Sequence, residues 1–343
     1  MSILIVGSEK KFTLENFYKE NLIKCGEQCD IYPIKDLISD KYFKSIFRKV
    51  LFKLFKKAII LANNRKLIKR VKDLKPSFII IFKGMYVLPR TILKLKNECF
   101  ISNYNADHPF IFSSKGSGNS NVTKSISLYD LHLTYHPKVK KLIENKYGIT
   151  TEIVPFGYEF EMTPYGEKDK LEEINRVCFI GNPDAKRVEV LSHIANAGYS
   201  IDVYGHGWDT TSITKFYNVS IFEAVYLEKL YATLRRYRVQ LNIFREHNIG
   251  SHNMRTFEIP AASGIQLAPY STQHAEFFKP NEEIFLYDSY NNMIFQIELI
   301  LRLSQSEAMK IREKAISRTI SSNYSYASRA KKILEVFKSQ NVD

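Results

Sequence analysis

The sequence predicts an α/β protein of two tandem domains, each a parallel β-sheet with helices on both faces. Three observations carry this. Short apolar runs of strand length alternate with runs of helical period along the chain. The alternation stops once, over the charged and aperiodic stretch 158–175, and then restarts. Small or polar residues come directly after most of the strand-like runs, as the ligand-binding edge of an open parallel sheet requires. With 343 residues, 45% apolar and 25% charged, each half is long enough to bury its own core.

The first domain is read over 1–157. "ILIVGS" is a strand ending in a small-residue loop, "LENFYKENLIKCG" a helix stopping at Gly26, and "CDIYPI" a short strand. Residues 41–73 form one long helical region with Phe43, Phe47, Leu51, Leu54 and Ala58 on its apolar side. "SFIIIFKG", "CFISNYNADHP", "LHLTYHP" and "TTEIVPFG" supply the remaining strands, and 113–121 is a glycine-rich loop expected to be mobile. After the linker 158–175, the second domain covers 176–322. "RVCFIGN", "SIDVYGHGW", "VQLNIFRE", "IQLAP" and "EEIFLYD" read as strands, with helices at "DAKRVEVLSHIANAG" and "EAVYLEKLYATLRRY". Pro260 is tolerated only near a helix start, so the helix of "NMRTFEIPAASG" begins near Met254–Phe257 and stops at Gly264. Helical runs at 291–315 and 324–338 close the chain, and 323–343 is expected to pack back on the first domain.

Composition excludes several classes. No apolar run approaches the ~20 residues of a membrane span, the densest being Phe78–Phe82. "MSILIVGS" has no basic stretch before its apolar run and reads as a strand, not a signal peptide. Cys25, Cys29, Cys99 and Cys178 complete no zinc set, so reduced thiols in a cytoplasmic protein are expected. The net charge of +14 is concentrated. Residues 44–75 hold twelve Lys/Arg against one acid, Asp73. Three readings of that segment stand side by side: a solvated helical face, a patch for an anionic membrane, or a nucleic-acid site. The last has no accompanying recognition signature.

The residues just past each strand define the candidate site. In the first half these are Gly7-Ser8, Lys83-Gly84, Asp107-His108 and His136; in the second, Gly181-Asn182, Gly205-His206-Gly207, Arg245 and 250–258. Each has a plain structural reading as well: tight turns for the glycines, a solvated charge for the basic residues, a chain turn for "YHP", and first-turn dipole stabilisation for Glu258.

The second half resembles the CgeB-like (spore-maturation) glycosyltransferases, relatives of the group 1 enzymes of the GT-B fold. "FIGN", "VYGHGW", "LNIFREHNIGSHNMRTFEIPAASG", "NEEIFLYDS" and "NYSYASRAKKIL" keep the family's order over roughly 176–338, with Asn323 where a histidine is usual. The first half matches only through "DHP". The resemblance implies two Rossmann-like domains facing a central cleft and sugar transfer from a nucleotide-sugar, a UDP-sugar among the candidates. The acceptor would be a hydroxyl on a glycan or lipid-linked molecule in bacterial surface polysaccharide assembly. GT-B enzymes work without a metal, and the chain has no Asp-x-Asp motif, so no metal or other cofactor is expected. The cysteine usage and the basic segment 44–75 add the expectation of a cytoplasmic enzyme, peripheral on the inner membrane face in the membrane reading of that segment, with a nucleic-acid partner the least favoured. Glu258 falls where group 1 enzymes hold the donor ribose. The sugar-side glutamate eight positions earlier is replaced by Gly250, leaving retention or inversion open. Breaking the glycosidic bond loads charge onto the diphosphate, which cations and helix N-termini must take. Arg255, Arg245 and Lys186 (with its neighbour Arg187) suit it. Asn253, Gly181, Asn182, Gly205 and His206 complete the donor set. If the enzyme inverts, Asp107 or His108 would serve as the base for the acceptor hydroxyl, with Gly7, Ser8, Lys83 and His136 around it. An inactive glycan-binding scaffold is the rival reading, with Gly250 its best support.

Overall fold

The computed structural model describes residues 1–112, 116–163, 172–245 and 248–340. Parts of the glycine-rich loop (113–115), of the linker (164–171) and of the family motif (246–247) lie outside them. The chain divides into two compact units, Met1–Pro155 with Tyr326–Asp343, and Phe156–Ser325.

The first unit contains β1 (Ser2–Val6), α1 (Leu14–Lys24), β2 (Gln28–Tyr32), α2 (Ile34–Tyr42), α3 (Ile46–Leu74), β3 (Phe78–Phe82) and α4 (Pro89–Leu95). It continues with β4 (Phe100–Asn105), α5 (Ser120–Ser125), β5 (Leu131–Thr134), α6 (Pro137–Tyr147) and β6 (Thr151–Ile153). The strands form one sheet in the order β2-β1-β3-β4-β5-β6, every pairing parallel. All five residues of β3 are buried, as a central strand covered on both faces requires. The expected helix over 41–73 is instead two helices, broken at Phe43–Ser45, with Ser45 capping α3 through Arg48 N. Its apolar side also differs from the sequence reading. Phe52, Ile60, Leu67 and Val71 pack into the core, with Asn64 among them hydrogen-bonded to Tyr86 O and Leu88 N. Phe43, Phe47, Leu51, Leu54 and Ala58 stay exposed. Two apolar rows compete on this helix, and the row ending in Val71 wins because it continues into the part of α3 that lies on the sheet.

The second unit contains β7 (Ile174–Ile180), α7 (Ala185–Asn196), β8 (Ile201–Tyr204), β9 (Val219–Phe222), α8 (Leu227–Arg236) and β10 (Tyr237–Leu241). It ends with α9 (Arg255–Ala261), β11 (Gln266–Pro269), α10 (Thr272–Phe277), β12 (Phe285–Tyr287), α11 (Tyr290–Arg302) and α12 (Gln305–Ser321). Its sheet is again wholly parallel, in the order β12-β11-β10-β7-β8-β9. The run 291–315 is cut at Leu303, where Ser304 and Glu307 form a reciprocal capping box that starts a new helix. Edge strand β9 escaped the sequence reading because it is four residues long, with Ile221 and Phe222 exposed, and so carries no buried apolar run.

The last helix, α13 (Tyr326–Lys338), belongs to the first unit. Tyr326 stacks on Phe17 of α1 at 5.3 Å, and Phe337 lies flat against Phe78 of β3 at 4.4 Å. All four cysteines are free thiols. No helix among the described residues is long and apolar enough to cross a membrane.

Candidate functional site

Both sheets reverse winding direction at one place. In the second unit the first strand, β7, lies beside the fourth, β10, so the crevice past their carboxyl ends is the switch point at which open α/β sheets bind ligands. The loop after β7 is held from three sides. Trp208 donates its indole N–H to Gly181 O at 2.7 Å, His206 N donates to Asn182 Oδ1 at 3.0 Å, and Arg187 Nη1 donates to Asn182 O at 2.8 Å. Gly205 packs against the same carbonyl, and a Cβ there would stand 2.3 Å from Gly181 O. The "VYGHGW" and "FIGN" motifs are therefore one interlocked corner, with Asn182 spent on building it.

Arg187 spans the switch point. Its guanidinium lies 5.3 Å over the Phe179 ring and reaches Ile243 O beyond β10 at 3.4 Å. It shares the Asp184 carboxylate with Arg245, at 3.5 Å and 3.8 Å. Burial pushes the Arg187 pKa down to about 10, and the charges of Arg245 and Arg255 push the same way against Asp184. Arg187 thus feels the charges of Arg245, past β10, and of Arg255, at the start of α9. Lys186 is drawn off to Glu189 and to Tyr290 OH, 2.7 Å away.

Glu258 lies in the first turn of α9, 3% exposed, and pairs with Arg255 one turn back. Burial and then the Glu258 charge raise the neighbouring Tyr231 well above its ordinary range. The helix is aimed by a buried amide network. Asn253 Oδ1 accepts from Thr256 N at 3.1 Å, and Asn253 exchanges hydrogen bonds with Asn242, which also donates to Gln266 Oε1. Asn253 is thus a positioning group beneath the site. The helix starts where the sequence placed it, but Pro260 falls in its last turn. With only seven residues, α9 ends one residue after the proline and forgoes little. Gly250 has a φ of +78°, a backbone state that disfavours a glutamate.

In the first unit the reversal lies between β1 and β3. Ser8 donates to both oxygens of buried Asp36 at 2.9 Å, and Glu9 N donates to Asp36 at 2.7 Å, so this carboxylate locks the loop after β1. Gly7 makes room for Glu15: a Cβ would stand 2.6 Å from Glu15 Cγ and 2.8 Å from Oε1. Burial raises the Glu15 pKa, Lys35 and Lys83 opposing and Asp36 assisting. Lys83 comes directly after β3 with a φ of +57°, unusual for a residue with a side chain, and its ammonium pairs with Asp107. His108 is buried, its Nδ1 accepting from Phe110 N at 3.2 Å. His136 is buried and caps α6 through Lys138 N. Sequence reasoning passed over Glu15 as an ordinary helical residue; the glycine at position 7 was the available signal. Among the described residues no three His, Cys, Asp or Glu side chains gather to hold a metal ion.

Residues 186–335 match a family model described as glycosyl transferase-like. No curated protein matches the chain. Sucrose-phosphate synthase of Thermosynechococcus elongatus superposes with a TM-score of 0.73 at 11% identity, over 98% of both chains. A glycosyltransferase of Rickettsia africae gives 0.65 at 14% identity, over 98% of this chain and 97% of the other. Anabaena HepE in complex with UDP gives 0.63 at 10% identity, over 99% and 100%. The fold is GT-B. Within the second GT-B domain, the structure ties Gly181, Asn182, Gly205, Arg187 and Arg245 into one corner, pairs Arg255 with Glu258, and adds Asp184 as the carboxylate shared by Arg187 and Arg245. It leaves Lys186 and exposed His206 in side contacts, the latter with Tyr226 OH at 3.3 Å.

Proposed function

We propose that the chain is a glycosyltransferase that takes its sugar from a nucleoside diphosphate donor. It passes that sugar to a hydroxyl of a glycan, free or lipid-linked, in surface polysaccharide assembly. One observation carries the reading. Arg187 and Arg245 share the Asp184 carboxylate at the switch point of the second sheet, and Arg255, paired with the buried carboxylate of Glu258, lies within electrostatic reach of Arg187. Guanidiniums match a diphosphate in charge and in fork geometry. They take the charge that develops on the leaving group as the anomeric bond breaks, without a divalent ion. In this reading Glu258 accepts hydrogen bonds from ribose hydroxyls, with Arg255 paired beside it. UDP is the first donor base to try, since a structural neighbour is a UDP complex. On the acceptor side the base is Glu15. Its carboxyl stands at the first unit's switch point with a pKa raised by burial, whereas Asp107 is neutralised by Lys83.

The test is calorimetric titration of UDP in excess EDTA against wild type, Glu258→Gln and Arg187→Met. A charged hydrogen bond is worth about 1.5–3 kcal/mol, so each variant should bind roughly ten- to a hundredfold more weakly. Wild-type affinity in both variants, or binding that needs magnesium or manganese, would overturn the reading.

A further inference from the structure

Helix α3 is two helices in one. Phe55 leaves helical geometry, with φ −105° and ψ 17°. Beyond it the helix lies on the sheet through Ile60, Asn64, Leu67 and Val71. Before it, only Phe52 is buried, held by Tyr42 and Phe43 at ring distances of 5.6 and 5.2 Å. On the side opposite Phe52, Ile46, Val50 and Leu54 repeat every fourth residue, with Phe47 and Leu51 as the adjoining row. Ile46, Phe47 and Leu54 are 81, 77 and 73% exposed. A protein surface does not ordinarily present so dense an apolar strip without a partner. Around it, Lys41, Lys44, Arg48, Lys49, Lys53, Lys56 and Lys57 stand with no acid between them.

We propose that residues 43–57 dock on an anionic lipid bilayer, with Ile46, Phe47, Val50 and Leu54 sunk to the headgroup–acyl boundary. The basic residues then lie among the lipid phosphates. The charge chooses the occupant. A second copy of this chain would bring seven more cations against these seven and is repelled. A nucleic acid would meet the cations but leave the apolar row in water. A bilayer surface satisfies both at once, and an in-plane amphipathic helix with long basic side chains is the form that does so. The inference stands apart from the donor site, since it uses none of its residues.

The experiment is flotation with phosphatidylglycerol vesicles and with phosphatidylcholine vesicles, in about 0.05 and about 0.5 M salt, the range over which surface charge is progressively screened. Wild type should float with the first, not with the second, and release as salt rises. Phe47→Ser with Leu54→Ser, and separately Lys53→Glu with Lys56→Glu and Lys57→Glu, should each bind roughly tenfold or more weakly. Unchanged UDP affinity in both sets shows that the donor site is intact. In Phe47→Trp the indole emission should shift to the blue only with anionic vesicles. No flotation at low salt, or flotation indifferent to the Phe47 and Leu54 changes, overturns the proposal. So does a wild-type dimer that Phe47→Ser dissociates, or a preference for RNA over vesicles in competition.

Discussion

Replacing Gly205 by alanine should loosen the corner that supports the donor site. A Cβ at this position would lie 2.3 Å from Gly181 O and 2.9 Å from Trp208 Nε1, and neither neighbour is free to yield. Gly181 O belongs to the loop after β7, and Trp208 is fully buried. Relief requires the indole to part from that carbonyl, breaking a 2.7 Å hydrogen bond in the interior. Leaving a buried polar group unpaired costs about 1–3 kcal/mol, and overpacking adds about 1–3 kcal/mol. A loss of about 2–6 kcal/mol is expected in the second unit. The assay is built in, because Trp208 is the sole tryptophan of the chain. Urea unfolding tracked by its emission reports this unit alone. The variant should unfold at lower urea and emit further to the red before unfolding. UDP should bind more weakly, because Asn182 O, which orients Arg187, moves with Gly181. An unchanged midpoint with unchanged emission would refute the packing argument.

Two further outcomes arise from buried ionisable groups. Burial lowers His132 and His274 from the ordinary 6.5 to about 4, each against an opposing backbone carbonyl. Folded imidazoles therefore stay neutral where unfolded ones take a proton, so stability is complete above pH 6.5 and falls as pH drops towards 4. The loss approaches roughly 3 kcal/mol per histidine. His274→Gln should flatten the pH dependence of the urea midpoint in the second unit; an unaltered slope counts against the assignment. Glu15→Gln should abolish transfer while leaving UDP affinity intact, and the wild-type rate should rise with pH through a value above the ordinary glutamate 4.5. If Glu15→Gln retains the rate and Asp107→Asn loses it, the base is Asp107 after all.

Much of this was legible in the chain. Continuous apolar runs such as Phe78–Phe82 can only be strands buried on both faces, and so the parallel sheets were expected. The helix that carries Arg255 and Glu258 was legible at its start, although Pro260 falls in its last turn, and the roles of the two residues came from the family resemblance. The faces of helices were harder. In α3 two apolar rows of similar strength differ only in which one meets the sheet, and that is a tertiary fact. Side-chain roles were hardest. Asn253 and Asn182 belong to motifs that also hold candidate ligand residues, yet Asn253 exchanges hydrogen bonds with Asn242 and Asn182 Oδ1 accepts from His206 N, so both support the local fold. Arg187 and Lys186 are adjacent in sequence but point to different partners, Asn182 and Tyr290. Glu15 carried no motif, and the signal that pointed to it was the space left by Gly7.

The return of α13 to the first unit means that the two units are not equals in time. Residues 156–325 form an unbroken stretch and have every contact of their own unit once translated. The first unit, though it leaves the ribosome earlier, is missing a wall until Tyr326–Lys338 emerges. Until then Phe17, Tyr18 and Phe78 face water. The half synthesised first is therefore completed last. A truncation just before Tyr326 would spare the second unit and leave the first with an open aromatic face, a ready target for chaperones and proteases.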